Sequence, residues 1–218
     1  ILTVNAVNDA PVLAAVPDVL FAEDGSSSIS LSAADVDEDD LTYTITSGTD
    51  ITADLDGSIV TFSAPADYNG NESFVVSVTD GELSDSQTIT VTVLPVNDAP
   101  QATQGITGTT NEDQSVVITL SGSDVDGDNL TFGLGFEPEN GTVSVDGSFA
   151  TYTPNTNFNG NDSFSFYVSD GDLAEGAVVI LTVNAVNDAP VLAAVPDVLF
   201  AEDGSSSISL SAADVDED

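Results

Sequence analysis

Lysine, arginine, histidine and cysteine are all absent from the 218 residues. Without a cationic side chain no side-chain salt bridge can form. Phosphate has no partner either, which excludes nucleic-acid binding and docking on an anionic membrane surface. The missing cysteine excludes disulfides, thiol catalysis and thiolate metal sites. Missing histidine and lysine remove the ordinary general bases that activate a serine or threonine. A glycosidase-like carboxylate pair is the one catalytic arrangement the composition permits. The clustered carboxylates recur from repeat to repeat, however, which is a poor setting for one shaped active site, so the chain reads as a non-enzyme. Tryptophan is absent too, and Tyr and Phe total only 14. No apolar run approaches the span of a bilayer helix, so no direct membrane contact is expected. The opening ILTVNAVNDAP already reads as folded protein and not as a signal peptide, so the chain reads as an internal window of a longer one.

What is abundant is acid: 38 Asp plus Glu, for a net charge of −38, beside a 41% hydrophobic content that suffices for cores. A surface of one sign repels itself and weakens the compact state. Bound cations, screening salt or both must offset it. A merely acidic, soluble surface is one reading. The other is metal binding, since a short Asp in a loop is a common hard-cation ligand, and the placement of the Asp residues favours it. A secreted module without disulfides needs another staple, and a bound ion that prefers the folded state supplies one.

VNDAP occurs at Val7–Pro11, Val96–Pro100 and Val186–Pro190, so at spacings of 89 and 90 residues. Residues 180–218 repeat residues 1–39 letter for letter. The expected organisation follows: 1–6 as the last strand of a preceding B-type module, 7–11 as linker, 12–95 as module A, 96–100 as linker, 101–185 as module B, 186–190 as linker, and 191–218 as the start of another A. The modules align internally. Glu23-Asp24 matches Glu112-Asp113, DVDEDDLTY from Asp35 matches DVDGDNLTF from Asp124, and DYNGNESF from Asp67 matches NFNGNDSF from Asn157. Period-2 alternation predicts strands throughout, with Phe74, Val76, Val78, Ile89, Val91 and Val93 facing inward in A, and Phe164, Phe166, Val168, Val179, Leu181 and Val183 in B. Asp56-Gly57 and Asp146-Gly147 suit type I′ hairpin turns. About seven strands in about 90 residues, with no helical period, predict an all-β chain of tandem antiparallel β-sandwich modules, cadherin-like or immunoglobulin-like, arranged as a rod.

LSAADVDEDDLTYTI, VTDGELSDS and VNDAP resemble, in order and spacing, the Asp-x-Asp loop, the Asp-Gly at the end of the sixth strand and the Asn-Asp linker of cadherins. The combination NGN(E/D)SF, V(T/S)DG, VNDAP is similar to bacterial cadherin-like repeats of large surface adhesins, over essentially the whole chain. The resemblance implies Ca²⁺ between consecutive modules. The A–B junction would take Glu23 and Glu72, then Asn97 and Asp98 of the linker, then Asp124, Asp126 and Asp170. The B–A junction would take Glu112 and Asp162, Asn187 and Asp188, then Asp214 and Asp216. Asn8, Asp9, Asp35, Asp37 and Asp80 would serve the first junction. Crowded carboxylates repel unless a cation sits among them, and Ca²⁺ takes about 6–8 oxygens. The Asp-Arg-Glu motif of animal cadherins is absent, with Glu72 and Asp162 its nearest substitutes, so one or two ions per junction are expected where the animal linker holds three. The alternative for these Asp and Asn residues is turn formation, and it is preferred for Asn69-Gly70 and Asn159-Gly160.

The resulting expectation is an extracellular spacer or fibre segment stiffened by Ca²⁺, with neighbouring repeats of the same chain as partners, serving adhesion, biofilm matrix or a surface filament. Ca²⁺-dependent carbohydrate binding is the rival reading. Tyr167, Val178 and Ile180 take the outward phase in module B, where A has Ser77, Thr88 and Thr90. That small apolar patch is a candidate for lateral self-association.

Overall fold

The structure is a computed structural model that describes residues 2, 3, 5 and 7–216. The chain divides into two compact units, Ile1–Asn97 and Asp98–Asp218. Among the described residues there is no helix.

The first unit is built from β1 (Val12–Leu13), β2 (Val19–Ala22), β3 (Ser26–Ser30), β4 (Ala33–Ala34), β5 (Thr42–Ile45), β6 (Thr52–Asp56), β7 (Ile59–Ser63), β8 (Gly70–Thr79) and β9 (Ser84–Leu94). One sheet has the order β2-β9-β8-β5 and the other β3-β7-β6, while β1 and β4 form a short separate pair. These are the seven strands of a sandwich plus one small ribbon. All pairings are antiparallel except β2 with β9, where Val19 lies opposite Val91 and Phe21 opposite Val93. The alternating residues of β8 and β9 explain the core. Phe74, Val76, Val78 and Val91 are fully buried, with Ile89 and Val93 at 1% exposure. Burying each such side chain stabilises by about 1.5–3 kcal/mol. Phe62 meets Phe74 edge-on at 5.4 Å between ring centroids, a favoured aromatic geometry.

The second unit repeats this order with β10 (Gln101–Ala102), β11 (Thr107–Asn111), β12 (Val116–Thr119), β13 (Gly122–Ser123), β14 (Thr131–Leu134), β15 (Gly141–Asp146), β16 (Phe149–Pro154), β17 (Gly160–Ser169) and β18 (Ala174–Asn184). Its sheets are β11-β18-β17-β14 and β12-β16-β15, beside the pair β10-β13. Tyr152, Phe164, Phe166, Val168, Val179 and Leu181 fill the core. A last ribbon, β19 (Val191–Leu192) with β20 (Ala212–Ala213), reproduces the β1–β4 pairing.

One local expectation is corrected. The β6–β7 loop is Gly57-Ser58, closed by Asp56 opposite Ile59. Only its glycine has positive φ (61°), so the turn follows the II′ pattern, glycine first, and not I′. Gly147 (φ 55°) does the same in the second unit. Leu2, Thr3 and Asn5 form no strand, and Ile1, Val4 and Ala6 lie outside the described residues. The identical residues at 180–184 belong to strand β18, hydrogen-bonded between β11 and β17.

Candidate metal centre

The Asp-x-Asp loop between β4 and β5 is held by its own first side chain. Asp35 Oδ1 accepts the N–H of Asp37 at 2.9 Å and of Asp39 at 3.4 Å, the short-range bonding that favours Asp in turns. Asp37 Oδ2 in turn accepts the N–H of linker residue Asp9 at 2.8 Å. Asn8 Nδ2 donates to Asp80 Oδ2 at 2.9 Å. The other oxygen of Asp80 closes the turn after β8, taking the N–H groups of Glu82 and Leu83 at 2.7 Å each. The Leu83 amide, then the Asn8 amide and the Glu82 N–H, hold the Asp80 carboxyl below the usual carboxylate range. Carboxylate oxygens of Asp35, Asp37 and Asp39 lie within 4.8 Å of one another. Desolvation, then the charges of Asp35, Asp37, Asp80 and Glu82, push the Asp39 carboxyl up.

The second unit builds the same device twice. Asp124 Oδ1 accepts from Asp126 N–H (2.9 Å) and Asp128 N–H (3.3 Å), and Asp126 Oδ2 accepts from Asp98 N–H (2.8 Å). The oxygens of Asp124, Asp126 and Asp128 again share a 4.8 Å neighbourhood. Asp170 repeats the Asp80 turn, accepting from Asp172 and Leu173 at 2.7 Å. At the third linker Asp188 N–H donates to Asp216 Oδ2 at 2.5 Å, and Asp216 N–H to Asp214 Oδ1 at 3.0 Å. Asn187 Nδ2 donates to the Asp188 carbonyl at 3.0 Å.

The outgoing end of each module contributes one buried glutamate. Glu23 and Glu112, at 5% and 4% exposure, follow β2 and β11 directly. Glu23 N–H donates to the Leu94 carbonyl and Glu112 N–H to that of Asn184. Oε1 of Glu23 accepts the N–H of linker residue Val96, and Oε1 of Glu112 that of Val186. Oε2 of both glutamates is buried without a hydrogen-bond partner, as is Oδ2 of Asp35, Asp124 and Asp188. A buried carboxylate oxygen without a partner is costly, and this chain has no cationic side chain to relieve it. In the second unit these groups act on one another. Desolvation comes first, followed by the charges of Asp216, Asp113, Glu112 and Asp214, in pushing the Asp188 carboxyl up. The donor set is entirely oxygen, which suits a hard divalent cation.

Glu72 and Asp162 do other work. Oε1 of Glu72 accepts from Asp50 N–H (2.7 Å) and Ile51 N–H (3.3 Å), and Oε2 from Thr49 N–H (2.8 Å). Desolvation opposes ionisation of Glu72, but the amides of Asp50, Thr49 and Ile51 outweigh it and hold the carboxyl low. Asp162 takes Glu139 N–H and Ser163 N–H on Oδ1, and Asn140 N–H and the Tyr152 hydroxyl on Oδ2. Burial and that bond push the Tyr152 phenol up. Every oxygen of these two carboxylates is partnered within its own module, where each anchors a loop, in contrast to Glu23 and Glu112. Sequence reasoning passed over Asp39, Asp128 and Asp113. The signal was present: both modules carry an acid four residues after the first loop Asp, and another directly after the buried Glu.

On module B, Tyr167, Val178 and Ile180 are 43%, 48% and 49% exposed, as their outward phase required.

A family model described as a bacterial Ig domain matches residues 8–92 and again 97–183. The protein Gamete expressed 2 of Arabidopsis thaliana is 40% identical over 78 residues, 34% of this chain, and the chain spans 8% of that protein's length. Domains EC1-2 of human protocadherin-24 share the fold, with a TM-score of 0.56 at 18% identity over 84% of this chain and 100% of that one. An endo-fucoidan hydrolase of glycoside hydrolase family 107 aligns over 84% of this chain and 30% of its own at 25% identity, with a TM-score of 0.37.

Proposed function

The chain belongs to the bacterial Ig domain family, and from that premise we propose that it is an extracellular structural spacer whose linkers are stiffened by Ca²⁺. The modules are the spacer and the VNDAP segments its joints. Glu112, Asp188, Asp214 and Asp216 hold the ion at the third linker, with Asp113 beside them. Asp98, Asp124 and Asp126, and Asp9, Asp35 and Asp37, are the corresponding residues at the other two, and Glu23 is the counterpart of Glu112 in sequence. A repeat array of this kind serves cell adhesion, a biofilm matrix or a surface filament. We read it as a non-enzyme: bacterial Ig domains generally are not enzymes, and the chain has no histidine or lysine to activate a serine or threonine.

One observation carries the reading. Buried carboxylate oxygens without partners recur at the linkers of a chain that has no positive side chain. A cation bound there removes a penalty that nothing else in the protein removes. Small-angle scattering of the chain in Ca²⁺ and in EDTA tests it. The expected result is a longer, stiffer particle in Ca²⁺ and a shorter, more flexible one in EDTA. Superimposable profiles would reject the stiffening.

A further inference from the structure

The outer face of β14, β17 and β18 differs between modules in a way the fold does not require. Module A places Thr44, Ser47, Ser77, Ser86 and Thr88 there, where module B has Gly133, Phe136, Tyr167, Gly176 and Val178. The strand registers are the same, with Thr44 opposite Ser77 and Ser77 opposite Ser86 in A, and Gly133 opposite Tyr167 and Tyr167 opposite Gly176 in B. Tyr167 therefore stands between two glycines. A Cβ at Gly133 would lie 2.2 Å from the Tyr167 ring, so the ring lies down across β14 in space a side chain would otherwise take. Phe136 is 77% exposed yet fixed. Its N–H donates to Ser165 Oγ at 2.6 Å and its carbonyl accepts the Ser165 N–H at 3.1 Å. Both rings and Val178 line an open groove of about 380 Å³, within the size range of ligand clefts. Further along the same strands lies a second groove of about 460 Å³, which Glu137 and Glu139 help to line.

Exposed aromatic faces in one groove and glutamate carboxylates in a second groove along the same strands suit a segment that carries both positive charge and apolar surface, through cation–π contact and charge-assisted hydrogen bonds. With a net charge of −38 and no positive side chain, an anionic partner and a second copy of the chain are both repelled. We propose that this face of module B docks a basic segment of another protein in which an arginine stands beside an apolar side chain. The guanidinium meets the ring faces, its apolar neighbour fills the first groove, and the Glu137 and Glu139 carboxylates attract the segment's positive charge along the second. This docking does not depend on Ca²⁺ at the linkers.

The test uses the whole chain, in EDTA at physiological salt, and a fluorescein-labelled hexapeptide of alternating Arg and Leu, read by anisotropy. The variant Phe136→Ser, Tyr167→Ser, Val178→Thr carries module A's own residues at matching strand positions, and an unchanged melting profile confirms its fold. Binding to this variant is expected to weaken roughly tenfold or more, as is binding of peptides with Gln for Arg or Gly for Leu. Glu137→Gln with Glu139→Gln should weaken the Arg-Leu peptide alone and leave the Gln peptide unmoved. Equal affinity of the peptide for wild type and the triple variant would overturn the proposal, because only diffuse charge would then be binding. Tighter binding of a neutral oligosaccharide such as cellohexaose than of the peptide would overturn it in favour of a glycan.

Discussion

Residues 12–37 and 191–216 are one sequence in two settings. In the first, Leu13, Val19, Phe21 and Leu31 are at most 8% exposed, and Val19–Ala22 and Ser26–Ser30 are strands beside β9 and β7. In the second, Leu192, Val198, Phe200 and Leu210 are 41–64% exposed, and 198–201 and 205–209 form no strand. Other features are the same in both. The two-residue ribbon forms, the amide of Gly25 or Gly204 closes a turn on the carbonyl of Ala22 or Ala201, and Asp24 and Asp203 take left-handed φ of 58° and 62°. The linker Asp also docks on the second loop Asp in both, at 2.8 and 2.5 Å. The sandwich strands are thus imposed by partners far along the chain, as strand formation commonly is. The linker and its loop are assembled from their own few residues. The linker–loop contact is therefore local, whereas Glu112, the other part of the candidate metal centre, is placed by β11 and β18 of a finished sandwich.

The largest effect that would sharpen this contrast is at the shared phenylalanine. In a chain of these 218 residues, Phe21→Ala should cost about 3–5 kcal/mol in denaturant unfolding, while Phe200→Ala, which lacks a partner like β9 there, should stay within about 0.5 kcal/mol. Equal costs would break the contrast. Next comes the loop aspartate. Asp35→Ala and Asp214→Ala each remove an oxygen that holds the following loop amide, and each should loosen its own loop by about 1 kcal/mol. Faster hydrogen exchange at the Asp37 and Asp216 amides reads this, and the two copies should respond alike because the bond is local.

Smallest is a difference in sign with pH, in chelator. The folded Asp80 carboxyl is lowered, so its contribution is present above the ordinary value of about 3.9 and is lost as pH falls through the lower folded value. The folded Asp188 carboxyl is raised, so its contribution is present below about 3.9 and is lost as pH rises through the raised folded value. Relative to an unprotected amide at the same pH, acidification from neutral should first raise the protection of the Asp188 amide, and only at lower pH reduce it at the Glu82 amide that Asp80 holds near the first linker. Parallel responses at the two linkers would count against the charge crowding at the third.

Much of this was legible in the sequence. The alternation of Phe74, Val76 and Val78 and the exact repeat required β-modules in tandem. The carboxylates were harder to sort. Glu72 in β8 and Glu112 just after β11 are the same residue type, but three loop amides satisfy one while the other keeps an oxygen without a partner. That distinction depends on backbone brought in from 21 or more residues away, which no local pattern reports. The hairpin turn escaped for a similar reason: Asp-Gly looked like the loop, whereas the pairing of Asp56 with Ile59 shifted it by one residue.

The central claim is that the carboxylates gathered at a linker hold Ca²⁺. Its most direct test is calorimetric titration of Ca²⁺ into the chain and into Glu112→Gln, a change that keeps the shape of the side chain and its bond to the Val186 amide but removes the charge. The account predicts saturable binding at about 10⁻⁴–10⁻³ M in the wild type and the loss of one class of site in the variant. No saturable heat at millimolar Ca²⁺, or an isotherm unchanged by the substitution, would contradict it.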